Sequence, residues 1–249
     1  MTAVETDNRK DIHNSDLPII CRSCESRHKG VCGALTPDQL LQLSRHTVKS
    51  VVEKEQELLA AGGDIERYSN ILSGVVKLTK LMADGRQQIV GLQFAPDLLG
   101  RPFKRQSDLS AEAATSVRVC SFPKSVLEKI IRQSPEMEHR LYEQTLRELD
   151  EARDWMLTLG RKTASEKVAS FLYLIARHID PDVDVSTGPI RFELPLKRAD
   201  IADFLGLTIE TVSRQLTKLR NAGVIVIENN RTIIIDHVDA LARLCETER

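Results

Sequence analysis

The feature that most constrains the fold is the pattern across residues 197–235. Arg198 to Leu205 reads as a short helix, Gly206-Leu207 as a turn, Thr208 to Asn221 as a second helix, and two strands follow around Asn229-Asn230. That order is the signature of a winged helix-turn-helix. At about 100° per residue, Ile209, Val212, Leu216 and Leu219 fall within roughly 80° of one another and form an apolar stripe expected to be buried. Glu210, Ser213, Arg214 and Thr217 occupy the opposite side within about 100°. A helix that had only to be soluble would carry longer, mixed charges there. This one carries base-reading types: Arg can take guanine O6 and N7 bidentately, Glu can accept from cytosine N4, and Ser or Thr can meet bases or phosphates. Between 197 and 220, five Lys or Arg oppose three acids, a local +2 against -1 for the whole chain, with Lys218 placed as a phosphate contact. The plainer alternative is a winged helix used for protein contacts.

Upstream of this unit the pattern changes several times. Residues 1–20 are polar and expected to fray. Thr36-Pro37-Asp38-Gln39 reads as a capping box with Pro at the first helical position, opening a short helix to about His46. From about 48 to 122, short β-type runs are broken by turns at Gly62-Gly63-Asp64 and Asp84-Gly85. Val76 and Leu78 alternate before the second turn, and Val90, Leu92 and Phe94 after it, as a hairpin requires. Such strands over about 75 residues suggest a small antiparallel roll. Ser134-Pro135 then opens a long helix to about Leu159. In it Tyr142, Thr145, Leu149, Ala152, Met156 and Leu159 recur at spacings of 3, 4, 3, 4 and 3, a heptad seam that reads as a dimer stalk or, more plainly, as a helix packed on its own domain. Thr163-Ala164-Ser165-Glu166 is another capping box, followed by a helix to about Ile179 and a loop from Pro181 to Gly188.

The expected class is therefore α+β, in four parts: residues 1–35 with a cysteine cluster, 36–133 a β-roll, 134–162 a dimerisation helix, and 163–249 the winged helix-turn-helix. A length of 249 residues suits one or two compact domains. With 41% hydrophobic and 29% charged residues there is enough apolar side chain for real cores. No stretch resembles a secretory signal or a membrane span, so a cytoplasmic protein with no membrane partner is expected.

In that compartment disulfides are disfavoured, and three of the five cysteines fall within twelve residues. Cys21-x2-Cys24-x7-Cys32, with Cys120 eighty-eight residues further on, supplies four thiolates, the number an iron-sulfur cluster needs. Four soft ligands also suit zinc, and Cys21, Cys24, His28 and Cys32 alone could form a tight zinc knuckle. The ferredoxin spacing is absent, which argues against an electron carrier. Cys245, near the end and without neighbours, reads as an ordinary thiol. The six histidines are scattered and no Ser or Cys lies in a nucleophile motif, so an enzyme has no residues to rest on.

Ile201-Ala202-Asp203-Phe204-Leu205-Gly206-Leu207-Thr208-Ile209-Glu210-Thr211-Val212-Ser213-Arg214 resembles the helix-turn-helix of the CRP-FNR family of bacterial transcription regulators. The Glu-x-x-Ser-Arg pattern at 210, 213 and 214 marks the FNR branch, and the x7 cysteine gap resembles its FnrN-type members. The resemblance covers roughly residues 20–245. It implies a cyclic-nucleotide-binding-like β-roll, and a homodimer on a TTGAT-N4-ATCAA type of double-stranded DNA palindrome read by Glu210, Ser213 and Arg214. It further implies an oxygen-labile 4Fe-4S cluster on Cys21, Cys24, Cys32 and Cys120, control of anaerobic or microaerobic metabolism, and contact with RNA polymerase near Asp84-Gly85 and residues 181–187. Lys197 departs from the hydroxyl residue usual at that helix cap. Cyclic AMP is not expected as a ligand, because the stretch Asp97 to Ala111 lacks an Arg before Ser110, and Asp108 would repel an anion.

Overall fold

The computed structural model describes residues 17–22, 24, 27, 29–179 and 188–245. The expected fraying of residues 1–16, the possible ligand His28 and the loop 181–187 lie outside them. Contacts divide the chain into two compact units, one of residues 1–81 with 92–148 and one of 82–91 with 149–249.

In the first unit the cysteine segment comprises helix α1 (Ile19–Arg22) and a 3-10 turn (Val31–Ala34). Leu17 already packs on the core, so order begins earlier than the polar composition of residues 1–20 suggests. Helix α2 (Pro37–Ser44) starts on the full capping box, Thr36 accepting from the Gln39 amide at 3.3 Å and Gln39 from the Thr36 amide at 3.0 Å. The roll consists of β1 (Val48–Val52), β2 (Glu57–Leu59), β3 (Arg67–Ser73), β4 (Val76–Leu81), β5 (Gln87–Gln93), β6 (Leu98–Leu99), β7 (Ser110–Ala113) and β8 (Val117–Pro123). They form two four-stranded sheets, β1-β8-β3-β6 and β2-β7-β4-β5.

Successive side chains on a strand point to opposite faces, and the register of β8 sorts them cleanly. Val117 and Val119 face the space between the sheets, where they meet Ile71, Val76, Leu99, Ala111 and Ala113. Cys120 and Phe122 face the other way. Phe122 lies opposite Tyr68 in a second core shared with Leu40 and Leu43 of α2, with Leu127, Ile130 and Ile131 of α3 (Lys124–Gln133), and with Met137 at the start of α4 (Pro135–Arg161). Helix α3 escapes the sequence reading because it is short and follows the strand without a break. In β5 the inward residue is Ile89, and Val90 is 47% exposed. Within the strand the buried face is therefore one position off the alternation through Val90, and only Phe94, just beyond β5, turns inward as that alternation expects.

In the second unit, the last turns of α4 place Trp155 against Phe204, with ring centroids 4.5 Å apart, and Phe204 also meets Phe171 of α5 (Ala164–His178) at 6.1 Å. Helix α5 opens on the second capping box, Thr163 with Glu166. Then come β9 (Ile190–Glu193), α6 (Arg198–Leu205), α7 (Ile209–Asn221), β10 (Val226–Glu228), β11 (Thr232–Ile235) and α8 (Val238–Cys245). The wing is a sheet of order β10-β11-β9, turned by Asn229 and Asn230, whose φ of 49° and 57° suit a tight hairpin. Cys245 is buried at the end of α8, its thiol on the Leu241 carbonyl at 3.1 Å. It is a core residue of an unforeseen last helix, not a thiol at a loose end.

Gly74 turns β3 into β4 at φ +91°, and a Cβ there would stand 2.5 Å from the Ser116 carbonyl oxygen and 2.9 Å from the Val117 Cα. Gly62 also has positive φ, +77°, but open space around it. Gly74→Ala is therefore expected to lose about 2 kcal/mol more stability in urea unfolding than Gly62→Ala, the added cost being backbone crowding. Equal losses would mean that the contact relaxes freely.

Candidate metal centre and nucleic-acid interface

Four cysteines are brought towards one place by different means. Cys21 closes α1, Cys24 follows it, Cys32 sits in the 3-10 turn, and Cys120 is fixed by strand register. All four are free thiols. Burial pushes the Cys120 thiol up to about 12, and the charges of Cys24 and Cys21 push it further in the same direction, while Lys49 opposes. Cys32 is likewise raised by burial and then by Cys120 and Cys21, against a hydrogen bond from Asn70. Cys21 is raised by burial and by Cys24, against Lys49 and Arg27. The four thus lie within electrostatic reach of one another, and each thiolate makes the next harder to form. Ligand thiols must lose their protons to bind metal, and a cationic centre bound among these four would offset the mutual repulsion of their thiolates. Among the described residues no three His, Cys, Asp or Glu side chains converge on a single-ion site. As a donor set, four soft sulfurs in mutual reach fit an iron-sulfur cluster.

Two residues beside these thiols carry no sequence motif. Lys49 on β1 and Asn70 on β3 are the register partners of Cys120 on its two sides. The Lys49 ammonium donates to the Ile20 carbonyl at 2.8 Å, and the Asn70 amide donates to the Cys32 sulfur at 3.1 Å. A polar Asn inside a strand was the one available signal. On the far side of the segment, Arg140 of α4 donates to the Lys29 carbonyl at 3.2 Å.

In the second unit, α6 begins at Lys197 without a side-chain cap and ends on Gly206 at φ +61°. Helix α7 is capped by the Thr208 hydroxyl, which accepts from the Thr211 amide at 3.2 Å. Val212, Leu216 and Leu219 are buried, but Ile209 is 47% exposed, which corrects its place in the stripe. As the first helical residue it precedes the point where the helix meets the core, and Gln215 is buried instead. Glu210, Ser213, Arg214, Thr217 and Lys218 all face outward on one exposed surface. The Thr217 hydroxyl donates to the Ser213 carbonyl at 3.0 Å, and Arg214 reaches the Thr211 hydroxyl at 3.3 Å. Hydrogen bonds from its own amide and the Thr208 hydroxyl hold the Glu210 carboxyl below the usual range, so at neutral pH it is an anionic acceptor.

The seam residues Tyr142, Thr145, Leu149, Ala152, Met156 and Leu159 are all exposed, Met156 to 73%. In the roll, a hollow of about 80 Å3 is lined by Leu78, Leu99, Arg101, Lys104, Asp108 and Glu148, among others. Ligand pockets usually measure about 300 Å3 or more. The expected want of cations near Asp108 is corrected: Arg101 and Lys104 are both there, and Lys104 is paired with Asp108.

Residues 166–244 match the family of Crp-like helix-turn-helix domains and residues 49–134 that of cyclic nucleotide-binding domains. The chain is 56% identical over 236 residues to a probable transcriptional activator of Rhizobium leguminosarum bv. viciae, covering 95% of this chain and 97% of the relative. It is 40% identical to the transcriptional activator protein FnrL of Cereibacter sphaeroides over 91% and 90% of the two chains. The structure of FixK2 from Bradyrhizobium japonicum superposes with a TM-score of 0.72 at 32% identity, covering 82% of this chain and 99% of that one. A roll followed by a long helix and a winged helix-turn-helix defines a DNA-binding transcription regulator. The chain belongs to the CRP-FNR family, in its FNR branch. Among the described residues no helix is long and apolar enough to cross a membrane.

Proposed function

We propose that this chain is an oxygen-responsive transcription activator, in which Cys21, Cys24, Cys32 and Cys120 hold a 4Fe-4S cluster and the DNA-binding form is a homodimer. The observation that carries this reading is the arrangement of Cys120. It comes from the middle of a sheet, yet it shares its surroundings with three thiols from the start of the chain. Purely structural cysteines have no need of such a gathering. The names of the relatives, transcriptional activators, support activation as the output.

When bound, the cluster supplies a centre that oxygen can degrade. The protein's own part is mechanical. Cys21 and Cys32 pack against the core that contains Met137, with Leu141 of α4 beside it, and Arg140 ties the same helix to the Lys29 carbonyl. Ligation of the segment together with Cys120 would therefore hold it against both the sheet and the first turns of α4. The seam of α4 is a weak one: Thr145 and Ala152 are poor core residues, and Glu148, Asp150 and Glu151 would meet their own copies near a two-fold axis. Driving a two-state equilibrium from 1:99 to 99:1 takes only about 5.5 kcal/mol, a reasonable output for one ligated segment. In the dimer, two α7 helices would enter successive major grooves roughly 34 Å apart. Glu210, Ser213 and Arg214 would read a TTGAT-N4-ATCAA palindrome, with Thr217 beside them and Lys218 on phosphate. Asp84-Gly85 and residues 181–187 are the proposed contacts for RNA polymerase, with the cytoplasm as the place of action.

Three outcomes are expected. Protein isolated without oxygen should be brown, with about four iron and four sulfide per chain, and Cys120→Ala should lose both as completely as Cys24→Ala. Stoichiometric zinc without sulfide would end this reading. In gel-shift assays, Arg214→Ala should cost about 1–3 kcal/mol at the G·C pair of each half-site and little on unrelated DNA, whereas Lys218→Ala should weaken binding to all sequences alike. Ala152→Leu adds about 5 kcal/mol of apolar burial per dimer, so the variant prepared in air should sediment as a dimer at micromolar concentration where the parent is monomeric. A tight aerobic parent dimer would refute the weak-seam mechanism.

A further inference from the structure

We propose that Lys49 and Asn70 are positioning residues that set how readily the cluster is oxidised, an inference that rests on the cluster reading above. Cys120 does not stand alone on its face of the sheet. Lys49 lies directly across from it on β1 and Asn70 directly across on β3, so a cation, a thiol and an amide form one row over three strands. Register-paired residues point to the same face. The row is closed from above by the cysteine segment, to which it is bonded twice. Lys49 donates to the Ile20 carbonyl, one residue before Cys21, and Asn70 donates to the Cys32 sulfur.

Neither residue suits its place on packing grounds. Asn is depleted from strands, and Asn70, only 3% exposed, leaves its side-chain carbonyl without a hydrogen-bond partner among the described residues. A valine would fill that strand position without an idle polar atom. Lys49 is half-buried on the thiol side of β1, whereas its neighbours Val48 and Val51 are exposed. The sequence thus places an amide where an apolar group would pack and spends an ammonium beside buried thiols. What the two share is a proton-bearing nitrogen beside the thiols, Asn70 donating to the Cys32 sulfur and Lys49 holding its charge on the Ile20 carbonyl next to Cys21.

A thiolate-bound cluster carries more negative charge on its ligands than its core neutralises. One-electron oxidation makes that centre one unit more positive. A nearby ammonium and an N–H donated to sulfur both favour the more negative state, and net charge and hydrogen bonds to the sulfurs are among the determinants of cluster potential. Lys49 and Asn70 therefore oppose loss of an electron. Together they tune how much oxidant is needed before the segment is released.

The test uses full-length protein isolated without oxygen, as parent, Lys49→Gln, Lys49→Arg and Asn70→Val. Iron and sulfide are measured first, then the cluster's midpoint potential by mediator titration, then the rate at which its visible absorbance fades at fixed dissolved oxygen. Lys49→Gln and Asn70→Val should each shift the oxidation equilibrium by about tenfold, a potential lower by about 59 mV for a one-electron couple, and fade several-fold faster. Lys49→Arg, which keeps the charge, should behave as the parent. Parent-like potentials and fading rates in both Lys49→Gln and Asn70→Val, at full iron and sulfide, would overturn the inference while leaving the cluster reading intact. If Asn70→Val binds less iron, the decision passes to the Lys49 pair, and identical potentials in Lys49→Gln and Lys49→Arg overturn it equally. A parent with neither iron nor sulfide sinks the cluster reading itself, and this inference with it.

Discussion

Everything in the first unit depends on the two-sided hydrogen bonding of β8. The strand is paired antiparallel with β1 on one side, residue for residue from Val117 to Ser121, and with β3 on the other, in step from Val119 to Pro123 before the register shifts between Ile71 and Ser73. Sliding it by one position would turn Val117 and Val119 out of the space between the sheets and bring Cys120 into it. Because one face of β8 is needed for the roll and the other for the helical core, its register is held from both faces at once. Cys120 inherits that rigidity. A thiol on a strand locked in this way is a fixed point against which the cysteine segment can be held, the kind of support precise sites require.

From that fixed point the structure runs outward through one continuous core. Tyr68 and Phe122 pack on Leu127 and Ile130, and these on Met137, while Val31 and Leu35 of the cysteine segment join from the other side. Glu128 of α3 adds a polar tie, accepting from the Tyr68 hydroxyl at 2.7 Å and from the Phe103 amide at 2.8 Å. Close-packed interiors transmit displacement instead of absorbing it. A change in the seating of the segment is therefore felt at the first turns of α4, which share this core.

The parts of this architecture legible in the sequence were those specified locally. Capping boxes at Thr36 and Thr163, the Asn229-Asn230 turn and the helix-turn-helix around Gly206 each need only a few neighbouring residues, and each was read within a residue or two. The exposed face of α7 was legible for the same reason, since helical spacing alone assembles Glu210, Ser213, Arg214 and Thr217. Errors arose where burial is decided by what lies opposite. Ile209 belongs to the stripe by angle but sits before the helix reaches its core, and Val90 fits an alternation that tertiary pairing shifts by one. Cys245 looks isolated in the sequence because α8, on which it lies, packs against α5 from far earlier in the chain. Lys49 and Asn70 are the clearest case: twenty-one residues apart, they become a pair only through β8, which lies between them in space and fifty residues further along the chain.

Helix α4 shows why a second copy is part of the reading. Its two ends are fastened by its own chain, Met137 and Leu141 at the start, Trp155 and the buried Thr158 near the finish. Between them its exposed stretch is supported by pairs such as Gln144 with Glu148 and Asp150 with Arg153. Such pairs contribute only about 0.2–0.5 kcal/mol each. Most helical stability in proteins comes from packing an apolar face. Here that face, Tyr142, Leu146, Leu149, Met156 and Leu157, is in open solvent in the single chain. These residues line one ridge of the helix, and contiguous exposed apolar patches commonly mark interaction sites. Pairing with an identical helix, as proposed above, would cover them, and the acids at 148, 150 and 151 would keep that pairing weak. In the proposed dimer such a helix would be sensitive to changes at its first turns, where Arg140 meets the Lys29 carbonyl of the cysteine segment.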